Sequence, residues 1–385
     1  MSAIEQTAAA LPLPALNPPR RYLFGPGPTM VDPRVYEALS KPIVGHLDPY
    51  FIQVMGDVQQ LLKTAFGTTE GATLVTSGTG SAGMEAAVAN FIEPGAKFVI
   101  FANGYFSDRL TEMAKRQGAN VVRFEKSWGE TFSDDEAAEF IRREKPSVVA
   151  YVHAETSTGA LQPGRAICAA AHEAGALAIA DCVTSLGGLP VEFDRTGIDV
   201  AYSCTQKGLS CPPGLSPIAM SKRAMDYLGT RTTPPRSWYL DLKLIRDYST
   251  VSHRYHHTAP ISMFYALREA LMVIADEGIE NRWERHRRSH KAFVKGIEAM
   301  GLRMYVPEAH RIPTLNTVCV PAGVDEAKVR RRLLDGPGIE ISGGFGPLAG
   351  KVFRVGLMGP LATAESVNHF IECFGKALRG AGYKG

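Results

Sequence analysis

The sequence predicts an α/β fold: a mostly parallel seven-stranded sheet between helices, followed by a smaller α+β domain. Three observations carry this. Short apolar, β-rich runs alternate with longer helical patterns as far as Pro260. The alternation then gives way to two long helical stretches and a mixed remainder. The chain has 385 residues, 45% of them hydrophobic, more than a single small core takes up.

The seven strand candidates are Thr73–Thr76, Phe98–Phe101, Val121–Phe124, Val148–His153, Ala176–Ala180, Val200–Ser203 and Pro217–Met220. Nearly continuous apolar runs of this length suit strands covered on both faces. Between them, Ser81–Phe91, Tyr105–Gln117, Ser133–Arg143 and Gly164–Glu173 have helical periodicity. Gly118, Gly175 and Gly197 follow periodic stretches, where helices often stop. Beyond Pro260, Ile261–Ala275 and Glu280–Met300 predict two long helices hinged at Gly278. Strands at Asn316–Val320 and Val352–Val355 and helices at Glu326–Leu334 and Ala364–Leu378 complete the pattern. The expected organisation is an Ala- and Pro-rich N-terminal arm (1–20), a large domain (21–278) and a small C-terminal domain (279–385).

Charged residues make up 21% and the net charge is +3, without a run of one sign. Nucleic acid and membrane surfaces are therefore not expected as partners. The six cysteines, Cys168, Cys182, Cys204, Cys211, Cys319 and Cys373, form no C-x-x-C pair, which argues against zinc and disulfide frameworks. No apolar run reaches transmembrane length. The N-terminus has neither the basic start of a signal peptide nor transit-peptide character, so a cytoplasmic location is expected.

In an open α/β sheet, ligands sit at the carboxyl ends of the strands. The residues just past the apolar runs are Ser77-Gly-Thr-Gly-Ser81, Asn103-Gly-Tyr-Phe106, Glu155-Thr-Ser-Thr-Gly159, Asp181-Cys-Val183 and Ser203-Cys-Thr-Gln-Lys207. Together they offer an anion-binding turn, an aromatic plate, hydroxyls, a carboxylate and a lysine. A lysine is ordinarily solvated. Lys207, however, stands among small, hydroxylic and apolar neighbours before the stiff Pro212-Pro213-Gly214 turn. Desolvation there would lower its pKa and make it a competent amine nucleophile. Asp181 read alone could be a loop or cap residue; beside Lys207 it could hold a pyridine nitrogen protonated. Thr79-Gly80-Ser81, between strand and helix, suits a phosphate through free backbone N–H groups. It does not match the nucleotide-binding G-x-x-x-x-G-K-[ST] pattern.

With these stand Gly25-Pro-Gly-Pro28, Gly45-His-Leu-Asp-Pro49, Ser185-Leu-Gly-Gly188, Tyr255-His-His-Thr258 and Gly350-Lys-Val-Phe-Arg-Val-Gly356. Each motif is short, but their order and spacing resemble the class V, fold-type I aminotransferases, in particular the alanine–glyoxylate and serine–glyoxylate/pyruvate group. The resemblance runs from Gly25 to about residue 378. It implies pyridoxal 5′-phosphate as cofactor, Lys207 as the lysine that carries it, and Asp181 as the partner of its ring nitrogen. It further implies that Thr79, Gly80, Ser81 and Gln206 hold the phosphate, with Tyr255 and Thr258 donated by the other subunit of a homodimer. Phe106 falls where the family stacks an aromatic on the ring, often Trp in animal members, so an indole N–H would be missing. Val183 would pack the opposite face, and Thr156, where some relatives have Ser, would hydrogen-bond near the ring. Arg354 resembles the clamp for the substrate α-carboxylate, and Gly27 the point where backbone passes close to substrate, although a plain Pro-Gly turn would also explain that glycine.

The implied function is ping-pong transamination between a small amino acid, alanine or serine, and a 2-oxo acid, glyoxylate or pyruvate. Within the family the alternatives are aminoethylphosphonate or pyridoxamine transamination and cysteine desulfuration. A desulfurase needs a cysteine on a flexible C-terminal loop, whereas Cys319 and Cys373 fall in an expected strand and helix. An NAD-dependent dehydrogenase would need a G-x-G-x-x-G after its first strand, which is missing. A non-catalytic binding protein of the same fold is opposed by the presence of Lys207, Asp181 and Arg354. His256 and His257 have no further ligand at suitable spacing, so no metal is expected.

Overall fold

The computed structural model describes residues 14–385, so residues 1–13 of the expected N-terminal arm lie outside the described residues. All seven expected strands form and join one sheet. Its order across the molecule is Ala72–Ser77, Leu215–Met220, Val200–Tyr202, Leu177–Asp181, Val148–Val152, Lys97–Ala102, Asn120–Glu125. Only Leu215–Met220 runs against its neighbours.

Side chains alternate between the two faces of this sheet. Val99, Phe101, Val149, Tyr151, Ala178 and Ala180 enter one hydrophobic layer. Phe98, Ile100, Val148, Ala150, Leu177 and Ile179 enter the other. Because both faces are covered, the strands need apolar residues at every position, and Val148–Val152 is buried throughout.

Helices that the apolar pattern did not reveal are Pro33–Leu39 and Pro49–Phe66. Each begins at an Asp-Pro pair: the Asp32 and Asp48 carboxylates accept from the backbone N–H of Arg34 (2.9 Å) and Tyr50 (2.8 Å). Proline in the first turn forfeits no helical hydrogen bond. A third, Lys222–Thr230, is capped by Ser221.

The C-terminal part is built on an antiparallel sheet of Leu315–Cys319, Val352–Gly356 and Ser342–Gly343, with helices Glu326–Asp335 and Ala364–Gly380 packed on it. Gly278, at φ +80°, separates Ile261–Glu277 from Ile279–Ala299. The core changes along the second of these helices: Ile279 packs with the large domain, whereas Phe293 and Ile297 pack with the small one. Residues 22–24, expected in the large domain, also join the small one. Tyr22–Leu23 pairs with Ile339–Glu340 and Phe24 lies in that core. Among the described residues no helix is long and apolar enough to cross a membrane.

Candidate active site

The turn after Val200–Tyr202 carries Lys207, which is only 8% exposed. Its backbone is pinned on both sides. The Ser210 N–H donates to the Lys207 carbonyl (2.8 Å) and the Thr29 N–H to the Gln206 carbonyl (3.1 Å). The ammonium donates to the Pro26 carbonyl. Burial, and secondarily the charge of Arg354, push the Lys207 pKa down, while Asp181 and Glu155 oppose this. Gly27 sits at φ +113°, and a Cβ there would lie 3.0 Å from Lys207 Cγ and 3.3 Å from its Nζ. That close approach to the lysine, together with the left-handed φ, requires glycine.

Asp181 ends the strand Leu177–Asp181 and pairs in register with Tyr202 on the neighbouring strand. One carboxylate oxygen accepts from the Val183 N–H (2.9 Å), the other from the Tyr202 hydroxyl (2.9 Å). Burial pushes the Asp181 carboxyl up to about 6, against the pull of these two bonds and of the charges on Lys207 and Arg109. A cationic ring nitrogen would relieve that desolvation. Val183 lies between this carboxylate and the glycine turn: a Cβ on Gly80 would come within 3.0 Å of it.

The anion-binding turn has unspent hydrogen-bonding capacity. Thr79 is the extended residue before the helix Gly80–Phe91 and makes no side-chain cap. The first amide bonded inside that helix is Ala82, on the Thr79 carbonyl (2.8 Å), so the N–H groups of Gly80 and Ser81 precede the helical ladder. Arg109 donates to the Ser81 hydroxyl (3.0 Å), adding a positive charge to the turn. The Gln206 amide has an oxygen buried without a partner, and turning the amide places an N–H there. A buried carboxylate at one end, an amine along the side and a donor-rich helix start at the other fit pyridoxal phosphate: a ring nitrogen, an aldehyde carbon and a phosphate.

Phe106, half-buried, lies in the first turn of the helix Tyr105–Arg116. Its N–H donates to Glu155 (3.2 Å) and its ring lies under the Arg109 guanidinium, 4.9 Å from Cζ to centroid. Glu155, fully buried, also accepts from the Ser157 N–H (2.9 Å) and hydroxyl (2.6 Å), and burial raises its carboxyl to about 7. Gly104 leaves the room this carboxylate occupies.

Thr156 turns its hydroxyl to Thr184 and its carbonyl to Arg354. Arg354, 2% exposed, donates to the carbonyls of Gly343 (2.7 Å) and Thr156 (3.2 Å). No ion pair among the described residues joins it to a carboxylate, and burial lowers its pKa to about 10. A buried guanidinium with N–H groups to spare is prepared for an anion from outside.

Tyr255 and Thr258 stand apart from this group. Tyr255 is exposed, and the pair's hydroxyls lie 3.5 Å from each other. Neither has a hydrogen bond to Thr79–Ser81 or Gln206 among the described residues. Between them, His257 bonds the Ser77 hydroxyl at the start of the phosphate turn (3.0 Å). Cys319 lies in a strand and Cys373 in a helix, neither on a loop.

The sequence assigns no individual role to four residues that shape the site. Arg109 follows Phe106 by one helical turn, a spacing that predicts contact. Glu155 stands three residues past the strand Val148–Val152, and Tyr202 ends the strand beside Asp181. Arg282, buried, donates to the carbonyls of Gly187 (2.9 Å) and Gly208 (2.8 Å), tying the turns after Asp181 and Lys207 together. That last contact had no local signal.

Residues 21–368 match the family model described as aminotransferase class-V. The (S)-ureidoglycine–glyoxylate transaminase of Bacillus subtilis is 40% identical over 367 residues, spanning 91% of this chain and 88% of its own. The alanine–glyoxylate aminotransferase of Mus musculus is 39% identical over 368 residues, spanning 94% and 89%. The crystal structure of alanine–glyoxylate aminotransferase from Nostoc sp. superposes with a TM-score of 0.94 at 47% identity, covering 96% of this chain and 98% of that one.

Proposed function

Since the chain belongs to the class-V aminotransferases and is a pyridoxal-phosphate-dependent transaminase of fold type I, we propose that it moves the amino group of alanine or serine to glyoxylate or pyruvate. The observation that carries this reading is Arg354. It is a buried cation with no ion pair to a carboxylate among the described residues, and its charge is felt at the buried amine of Lys207. Relatives named for glyoxylate support the acceptor.

When bound, the cofactor supplies a carbonyl that takes up the amino group and a ring that accepts the electron pair left by the substrate's α-proton. The chain's residues do the rest. Arg354 would hold the α-carboxylate of donor and acceptor in turn. Lys207, whose pKa burial lowers, would take the proton from the α-carbon and return it at the cofactor's carbonyl carbon. Asp181 would hold a proton on the ring nitrogen. Thr79, Gly80, Ser81 and Gln206 would bind the phosphate, while Phe106 and Val183 would flank the ring and Thr156 bond near it. Gly27 would let the backbone pass beside the substrate.

In this reading the enzyme is a homodimer, with Tyr255 and Thr258 reaching the partner's phosphate. In support, Ile43, Leu47, Tyr50, Trp238 and Tyr255 are exposed. Tyr255 packs on His46 and Trp238 on His256, and exposed apolar side chains of this size favour a partner surface. All six cysteines are free, four of them buried, which suits a reducing compartment such as the cytoplasm.

The test is spectroscopic. The purified protein should be yellow, lose that colour with alanine or serine in single turnover, and regain it with glyoxylate or pyruvate. Bleaching by aminoethylphosphonate or pyridoxamine alone would instead select a neighbouring activity.

Arg354→Lys should weaken both half-reactions while sparing cofactor binding. Lysine keeps the charge but loses the two-pronged geometry. Loss of one charge-assisted hydrogen bond costs about 1.5–3 kcal/mol. The expected outcome is roughly ten- to hundredfold lower kcat/KM for donor and acceptor alike. If only one substrate suffers, the clamp lies elsewhere.

A further inference from the structure

Arg354 has an aromatic neighbour that the reading above leaves without a role. The Phe345 ring lies over the guanidinium, 4.0 Å from Cζ to centroid. The same ring meets Tyr105, with ring centroids 4.9 Å apart, and Tyr105 meets Phe106 edge-on at 5.6 Å. Phe345 belongs to the small domain, between the strands Ser342–Gly343 and Val352–Gly356; Tyr105 opens the large-domain helix that carries Phe106. The two rings therefore meet across the domains, between the carboxylate clamp and the aromatic plate. Both are about a third exposed, Phe345 at 37% and Tyr105 at 38%, as expected at the mouth of a pocket rather than in a core.

Both rings are held by their backbones. The Phe345 carbonyl accepts from the Leu348 N–H (2.8 Å). On either side of Phe345, a Cβ on Gly344 would run into the Leu348 carbonyl and one on Gly346 would come within 3.1 Å of the Trp128 ring. The Tyr105 N–H donates to the Ser157 hydroxyl (3.0 Å), which is itself bound by Glu155. These anchors fix the points at which the two rings leave the backbone.

A carboxylate paired with Arg354 lies near the guanidinium plane. A ring over the face of that plane flanks the carboxylate and the α-carbon bonded to it. We propose that Phe345 and Tyr105 determine specificity: they wall the pocket beside Arg354 and confine donor and acceptor to side chains no larger than methyl or hydroxymethyl. This rests on the transaminase reading with small substrates and adds the residues that impose the size limit. The ring also shields one face of the guanidinium from water, which strengthens its hold on any carboxylate.

Phe345 has ordinary extended backbone, φ −104° and ψ 162°, so its replacement adds no strain. The test compares wild type with Phe345→Ala, Phe345→Leu and Tyr105→Ala, using alanine and leucine as donors. Phe345→Ala should raise the leucine-to-alanine ratio of kcat/KM by roughly 10–100-fold, the scale set by side-chain exclusion from a pocket. Alanine should show a higher KM with kcat little changed. Phe345→Leu should keep most of the exclusion, because it keeps most of the volume. A second readout needs no turnover: the affinities of acetate and 4-methylpentanoate for the holoenzyme, followed through its visible spectrum. Acetate should bind several-fold more weakly to Phe345→Ala, and 4-methylpentanoate more tightly. Should that variant not fold, Tyr105→Ala reads the same wall from the large domain. Unchanged ratios and affinities in either variant overturn the proposal. If wild type accepts neither alanine nor serine, the substrate reading fails instead, and the two carboxylates still report whether the wall exists.

Discussion

Lys207→Ala should abolish steady transamination while leaving the protein able to bind its cofactor through the phosphate. The loss of a positioned proton-transfer group alone is worth roughly 10²–10⁴-fold in rate, and this lysine would also hold the cofactor covalently between turnovers. Its surroundings suit both tasks. Burial favours the neutral amine, and the only hydrogen bond its Nζ donates among the described residues is to the Pro26 carbonyl. The Thr79–Ser81 turn lies on another strand end and does not depend on the lysine side chain. Phosphate affinity should therefore survive, and small exogenous amines should restore part of the proton transfer. Borohydride reduction of the holoenzyme followed by peptide mapping checks the assignment directly. The fixed cofactor should be found on the peptide containing Lys207, and a label on any other lysine would sink the idea.

What the sequence made legible follows from where information is local. A parallel strand buried on both faces must be apolar at every position, so all seven strands of the large sheet stood out as runs. Residues just past such strands are where an α/β sheet binds ligands, and Lys207, Asp181, Thr79 and Phe106 are candidates by that position alone. Helices Pro33–Leu39 and Pro49–Phe66 announce themselves only by their Asp-Pro starts, a capping signal that apolar periodicity alone does not contain. Other features could not be read. Pairing of Tyr22–Leu23 with Ile339–Glu340 joins residues more than three hundred positions apart, and nothing in either dipeptide announces it. Likewise Arg282 looks like one of several arginines on a helix, and only the fold brings it to the carbonyls of Gly187 and Gly208. The expectation that Thr156 bonds near the ring weighed only its hydroxyl. In the structure its backbone carbonyl also holds Arg354, so that residue links the expected ring site to the carboxylate clamp.

Asp181→Asn should leave the fold intact and slow the half-reaction with alanine by roughly 10²–10³-fold, the scale of losing one preorganised electrostatic partner in a water-excluded site. The fold survives because asparagine has nearly the same shape. Its oxygen can still accept from the Val183 N–H, and its amide can donate to the Tyr202 hydroxyl, which accepts as readily as it donates. Thermal stability should therefore change little, and burial no longer opposes a charge that in wild type is pushed up to about 6. The rate falls for a separate reason. An ionised Asp181 favours a protonated ring nitrogen, and a protonated ring accepts the electron pair from the α-carbon more readily. The neutral amide exerts no such attraction, so at neutral pH the nitrogen releases its proton and the ring becomes a poorer sink. In the proposed reading alanine is held by Arg354, which the substitution does not touch. The loss should accordingly appear in the single-turnover rate and not in the apparent affinity for alanine. A purely structural Asp181 would instead leave the single-turnover rate unaltered, whatever the stability. Stopped-flow kinetics and a melting curve on the same preparation separate the two, and an unchanged half-reaction would reduce Asp181 to a residue that merely shapes the turn before Val183.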